Sequence, residues 1–342
     1  MKKIILLSFL LIVLLTACSA SEEVADVPEQ NTDIVVDNEE ETEPTPEPVD
    51  FYQDIMAMNT RPLAVMIDND GSSSRPHAGL EKAYLLYEVI VEGGSTRIMA
   101  LFNDYDIAQV GPVRSSRHYF LDFAMENNAV YCHYGWSPKA QSDISSYGIN
   151  NINGLYDTCF WRDNTYDNTY HNAYTSTSAL WETAQKKGYK TEGSGTPFTY
   201  HPVMTMPEGG TDAQTLAIDY SGFYRVGYVY DAEKEAYTRL INKANHPTWS
   251  GETLYATNII AIRVTNTNLN DGENKGRQEL YDVGSGKGWY LTGGKVYDIT
   301  WTKDTRTAHS VYAFADTGEE ITLNPGTTWV QVVGNDMNVT IE

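Results

Sequence analysis

Hydrophobic and polar positions divide the chain into three stretches of different texture. The first is apolar: Ile4 through Leu15, interrupted only by Ser8, behind the basic pair Lys2-Lys3. The second, Ser19 to Asp50, has no aromatic residue and four prolines (Pro28, Pro44, Pro46, Pro48). In the third, apolar runs return at short intervals. Leu63-Ala64-Val65-Met66-Ile67 reads as a buried strand, with Asn69-Asp70-Gly71 as turn punctuation. Ala83 to Val91 and Arg97 to Phe102 are two further strands, and the short Glu92-Gly93-Gly94-Ser95 connection predicts a hairpin. Ser115 to Asn127 has helical periodicity, with Tyr119, Phe120, Phe123 and Ala124 on one side. Ala129 to His133 reads as a strand, Ser137-Pro138 as a helix start, and Ser176 to Lys187 as a helix stopped by Gly188.

Beyond residues 196–215, which are irregular and rich in proline and glycine, the pattern shifts to short alternating runs. They are Tyr224 to Tyr230, Tyr237 to Leu240, Asn258 to Val264, Gly288 to Leu291, Lys295 to Trp301 and Thr328 to Val333. Such spacing predicts strands. The expected fold class is α+β: a mixed α/β N-terminal domain over 53–205, then a mostly β C-terminal domain over 206–342.

The apolar start is shorter than the roughly 20 residues that span a bilayer permanently. It ends in Leu15-Thr16-Ala17-Cys18, the pattern of a bacterial lipoprotein signal, so residues 1–18 read as a signal peptide. Cys18 is then the lipidation site and new N-terminus, carrying a diacylglycerol whose two acyl chains, palmitate for example, enter the membrane. More than one acyl chain gives stable anchoring, which places the protein on the extracytoplasmic face of the cell membrane. Residues 19–52 read as a disordered acidic tether, too poor in apolar residues to offset the entropy of ordering.

Formal net charge is −22. The tether holds twelve acidic residues and no Lys or Arg, and the signal adds two lysines, so about half of the charge, −12, belongs to residues 51–342. Neither part offers the basic face that nucleic acid requires. Walker, nucleophile-elbow and metal-ligand patterns are absent, so no cofactor or metal is expected. Gly284-Ser285-Gly286-Lys287-Gly288 lacks phosphate-loop spacing and reads as a turn with exposed amides. Cys132 and Cys159 either pair outside the cytoplasm or stay as buried thiols.

Several segments together carry a family resemblance: Arg61 to Asp68, Tyr87-Glu88 with Glu92 to Arg97, Gly111 to Arg117, Gly284 to Gly288 and Asn324 to Val330. Over about residues 61 to 333 the chain resembles the YerB-type lipoproteins, built from N- and C-terminal domains of unknown function. Tyr170 precedes His171-Asn172 where the family pattern carries a proline. The resemblance implies location and architecture, and no established reaction.

Four arginines are close in sequence, each in a loop or at an element end: Arg75, Arg97, Arg114 and Arg117. Arginine suits bidentate capture of carboxylate or phosphate. With Ser115 at an expected helix start and with His171 and Asn172, they form a candidate ligand-binding set for peptidoglycan carboxylates, teichoic-acid phosphates or an envelope protein. The opposing reading is that Asp68, Glu88 and Glu92 neutralise them as internal ion pairs. The alternative function is a cell-wall glycan hydrolase using Glu88 or Glu92 with His133. On a regular strand, however, Glu88 and Glu92 would stand roughly 13 Å apart, beyond the roughly 6.5–9.5 Å of an inverting pair. Aromatic residues near 131–136 and 156–174 suit either sugar stacking or sheet filling.

Overall fold

The computed structural model describes residues 51–103, 106–193 and 196–342. The signal, Cys18 and nearly all of the tether lie outside the described residues. Helix α1 (Phe51–Ala57) takes in the last two positions of the segment read as tether. The principal elements then follow as β1 (Leu63–Asn69), β2 (Leu85–Ile90), β3 (Thr96–Phe102), α2 (Phe120–Glu126), β4 (Val130–His133), α3 (Pro138–Ser146), β5 (Asn151–Asn153) and α4 (Thr177–Lys186). The second half supplies β6 (Thr215–Asp219), β7 (Arg225–Asp231), β8 (Ala236–Ile241), β9 (Asn258–Asn268), β10 (Gly284–Thr292), β11 (Lys295–Lys303), β12 (Val311–Phe314), β13 (Thr328–Gly334) and β14 (Asn338–Ile341). A mixed α/β N-terminal part is followed by a mostly β C-terminal part, the α+β class expected from the pattern. Among the described residues no helix is long and apolar enough to cross a membrane.

One large sheet runs β12-β11-β10-β9-β13-β2-β3-β1-β4-β5, so both halves of the chain contribute to it. The join is β13, which lies parallel to β9 on one side and to β2 on the other. All seven of its residues are buried, as are those of β1 and β3, the near-continuous apolar texture of strands covered on both faces. The smaller sheet, β8-β7-β6-β14, alternates buried with half-buried positions and covers one face of the large one. Helix α2 covers part of the other, with Phe123 stacked on Tyr87 at 4.7 Å.

Two local expectations change in the fold. Helix α2 begins at Phe120, five residues after Ser115. Val113 and Ser116 are drawn into β-bridges with Ile67 and Trp136, and the N–H groups of Arg114 and Ser116 donate to Met66 and Gly135 carbonyls. Backbone held in bridges cannot start a helix, so Ser115 provides no helix-end donors. Gly284 to Gly288 is strand, paired with Lys303 to Ile299. A Cβ at Gly286 would stand 2.5 Å from the Trp301 indole nitrogen, so glycine lets that ring lie across the neighbouring strand.

The two sheets meet at a buried charge. Glu88 on β2 and Arg239 on β8 are both fully buried, with Arg239 Nη2 donating to Glu88 Oε2 at 2.7 Å. Breaking such a pair leaves an uncompensated charge in the core, at about 3–5 kcal/mol. Arg239→Met should therefore lower the urea midpoint by that much free energy, and Glu88→Gln with Arg239→Met should recover part of it. A single-variant loss below about 1 kcal/mol would contradict this account of the core.

Candidate functional site

The candidate residues gather where β1 ends and β3 begins. Asp68 and Arg97 face each other as cross-strand partners. The free edge of β1 past its pairing with β4 is taken by residues 112–114: Asp68 N–H donates to Pro112 O at 2.8 Å and Arg114 N–H to Met66 O at 2.8 Å. Behind that segment, Val113 N–H donates to Ala173 O, which brings His171 and Asn172 alongside. Gly111 is required here. Its φ is +147°, and a Cβ would meet Ala173 O at 2.8 Å.

The four arginines occupy four different environments. Arg117 is spent on Glu92, Nε at 2.5 Å and Nη2 at 2.8 Å. Arg114 Nε lies 3.2 Å from Asp68 Oδ2, and its guanidinium sits over the Tyr170 ring at 4.6 Å. Half-buried Arg75 donates to Asn69 Oδ1 and O, each at 3.2 Å. Arg97 is 6% exposed; its Nη1 donates to Ser115 O, and its Nε has no hydrogen-bond partner. Among the described residues no carboxylate lies within 4.0 Å of Arg97 or Arg75. The neutralising carboxylates expected from sequence thus account for Arg114 and Arg117 and leave Arg75 and Arg97 without direct ion pairs.

Burial lowers the Arg97 pKa to about 10, with Arg117 and Arg114 adding repulsion and Asp68 and Glu92 opposing it. Arg97 stays charged near neutrality. Asp68 is fully buried. Burial disfavours its carboxylate, but the His171 hydrogen bond and the charges of Arg114 and Arg97 prevail and hold its pKa low. That bond, His171 Nδ1 to Asp68 Oδ2 at 2.7 Å, raises the His171 pKa.

The remaining candidates are engaged in structure. Ser115 donates its hydroxyl to Tyr134 O, and Asn172 bonds Arg162 and Asn164. Glu88 and Glu92 do not form a pair. Glu88 is sealed in the core, accepting from Thr96, Tyr224, Asn69, Gln331 and Arg239, whereas Glu92 lies past the strand end in a single 3₁₀ turn. His133 is fully buried between Gly135 O and Asn151 Oδ1, and burial lowers its pKa to about 4. None of this brings a carboxylate pair to a solvent-reachable substrate. Cys132 and Cys159 are free thiols, the first buried and the second half-buried.

Three residues beyond the sequence candidates hold the site in place. His77 Nε2 lies 2.6 Å from Asp68 O, His77 Nδ1 lies 2.6 Å from His246 Nε2, and Arg239 Nε donates to His246 Nδ1 at 3.0 Å. A carbonyl only accepts, so His77 donates from Nε2, accepts at Nδ1 from His246, and His246 accepts from Arg239. One proton assignment satisfies the chain with both rings neutral. Burial agrees, lowering the His77 pKa to about 3 and that of His246 well below the ordinary value. His246 and Arg239 lie far along the chain, and no local motif marks them.

A groove of ≈ 900 Å³ lies elsewhere. It is lined by Glu208, Asp212, Asp298, Asp316, Glu319 and Glu320 among others, and none of the four arginines. Size and chemistry therefore disagree. The arginine cluster carries the stronger signal, because a buried unpaired guanidinium is costly and an anion relieves the cost. Among the described residues no group of three His, Cys, Asp or Glu side chains is placed to hold a metal ion.

Comparison with known proteins agrees with this architecture. The model for the N-terminal domain of "Protein of unknown function (DUF3048)" matches residues 52–190, and the model for the C-terminal domain matches residues 216–330. "Putative lipoprotein YerB" of Bacillus subtilis (strain 168) is 28% identical over 279 residues, covering 80% of this chain and 81% of that protein. The crystal structure of YerB protein from Bacillus subtilis superposes with a TM-score of 0.72 at 28% identity, covering 83% of this chain and 95% of that one. With both domains present in order along one shared sheet, the chain belongs to the DUF3048 family.

Proposed function

We propose that this protein is a lipid-anchored, extracytoplasmic cell-envelope protein that binds an anionic envelope component at the arginine cluster. The observation that carries the binding reading is Arg97: 6% exposed, charged, with no carboxylate within 4.0 Å among the described residues and Nε unpartnered. An isolated buried cation is unfavourable unless something compensates it. Arg114, 24% exposed, stands beside it to share an anion's oxygens, whereas Arg75 lies with Asn69 and Tyr224 on the other face of the sheet. Carboxylate and phosphate both fit the planar fork of guanidinium donors. The anchoring reading rests on Leu15-Thr16-Ala17-Cys18 and on the name of the similar Bacillus protein. Peptidoglycan carboxylates and teichoic-acid phosphates are the envelope anions of matching chemistry.

Three measurements test these readings. Cys18→Ala expressed in a bacterial host should move the protein from the detergent-soluble membrane fraction to the soluble or uncleaved pool, and unchanged acyl labelling would refute the anchor. The mature protein should be retained on purified cell-wall material, and Arg97→Gln with Arg114→Gln should reduce retention at least tenfold in a chain that circular dichroism shows still folded. Equal retention would refute the anion site. Finally, raised His171 is protonated below and neutral above its pKa, so its positive charge is lost as pH rises, while Asp68, with its lowered pKa, stays ionised. Affinity for sulfate, whose charge is constant over this range, should fall about fivefold across the His171 titration, the effect of one screened charge worth about 1 kcal/mol. His171→Gln should flatten the profile, and a wild-type profile that rises with pH would contradict the assignment.

A further inference from the structure

Resting on the reading of the arginine cluster as an anion site, we infer that its ligand is a saccharide bearing a phosphate or carboxylate, held by aromatic rings flanking the arginines. Asp-Asn-Thr-Tyr occurs twice in tandem, as Asp163-Asn164-Thr165-Tyr166 and Asp167-Asn168-Thr169-Tyr170. Each copy forms the same turn: Asp163 Oδ1 accepts the Thr165 N–H at 2.9 Å, and Asp167 Oδ2 accepts the Thr169 N–H at 3.0 Å. An aspartate that binds backbone two residues on is a self-contained turn, and here it presents a tyrosine each time. Tyr166 and Tyr170 are each 55% exposed, unlike the fully buried tyrosines of the sheets.

Tyr170 belongs to the arginine cluster by contact, while Tyr166 meets Trp249 edge-on at 4.7 Å. Tyr170 lies under the Arg114 guanidinium at 4.6 Å and beside the His171 ring at 4.2 Å. At the other end of the loop, Ser116 is bridged to Trp136, whose ring meets the 71% exposed Tyr156 at 5.8 Å. Exposed aromatic surface thus lies at both ends of the Arg114–Arg117 segment, where sheet filling does not explain it.

Charge selects the ligand class. Residues 51–342 carry −12, so a bare polyanion is repelled everywhere except at the local cationic surplus. Neutral contact area beside that surplus supplies affinity without added charge. A tyrosine offers an apolar face and a hydroxyl edge, which match the C–H face and hydroxyl rim of a pyranose. The exposed Thr165 and Asn168 add hydrogen-bonding groups to these turns.

Titration of the mature chain with inorganic phosphate, glycerol 1-phosphate, glucose 6-phosphate and uridine monophosphate, followed by calorimetry, tests this. Glucose 6-phosphate should bind at least tenfold tighter than inorganic phosphate or glycerol 1-phosphate. Tyr170→Ala should bring the ratio of glucose 6-phosphate to inorganic phosphate affinity to about one, and Tyr170→Phe should preserve it. If the three non-nucleotide phosphates bind alike, or uridine monophosphate binds tightest, the saccharide inference is overturned while the anion site stands. If no phosphate binds and Arg97→Gln changes nothing, the anion reading falls and takes the inference with it.

Discussion

Glu88 organises this molecule. A carboxylate fully buried on a central strand is tolerable only if every lone pair finds a donor, and the donors come from both sheets. Thr96, Asn69 and Gln331 reach it from the large sheet, Tyr224 and Arg239 from the small one. Arg239 is also stacked over Trp329 at 4.0 Å. Apolar burial alone would let one sheet slide over the other with little penalty. Directional bonds to a buried charge set one register between them. The same arginine begins the His246–His77 chain that ends on the Asp68 carbonyl, so the element carrying the candidate site is braced from the other sheet.

Charge is distributed unevenly around that brace. Where cation and anion meet directly, as in Arg239–Glu88 and Arg117–Glu92, their fields cancel locally. Asp68 is shared between Arg114 and His171, which leaves Arg97 in the same neighbourhood with no carboxylate of its own. An acidic protein that keeps a cation buried beside a surplus of arginines holds a local potential opposite to that of its surface. The exposed Tyr170 of the 163–170 turns lies along the margin of this patch and does not line the acidic groove.

Much of the architecture was legible in the chain. The apolar run of β1 and the hairpin of β2 and β3 appear within a residue or two of their predicted limits, as does α4 between Ser176 and Gly188. Their signals are local: continuous burial, a Gly-Gly connection, a capping serine. Errors arose where a distant segment overrode local preference. Ser115 carries a helical pattern, yet Ile67 and Trp136 claim the backbone on either side of it. Gly284 to Gly288 resembles a turn, but an indole from the next strand needs the missing side chains. The tandem Asp-Asn-Thr-Tyr was visible in the sequence, and its meaning depended on knowing that both tyrosines stay exposed.

The sequence by itself determined the strand and helix composition, the lipoprotein-type pattern at the start, the acidic composition that follows it and the grouping of arginines, because each is encoded in adjacent residues. Only the tertiary structure decided which arginines are neutralised. Ion pairing depends on distances across 25 residues for Arg117–Glu92, 46 for Arg114–Asp68 and 151 for Arg239–Glu88. A Coulomb interaction falls with separation in space, not along the chain, so composition can count charges but cannot say which of them meet.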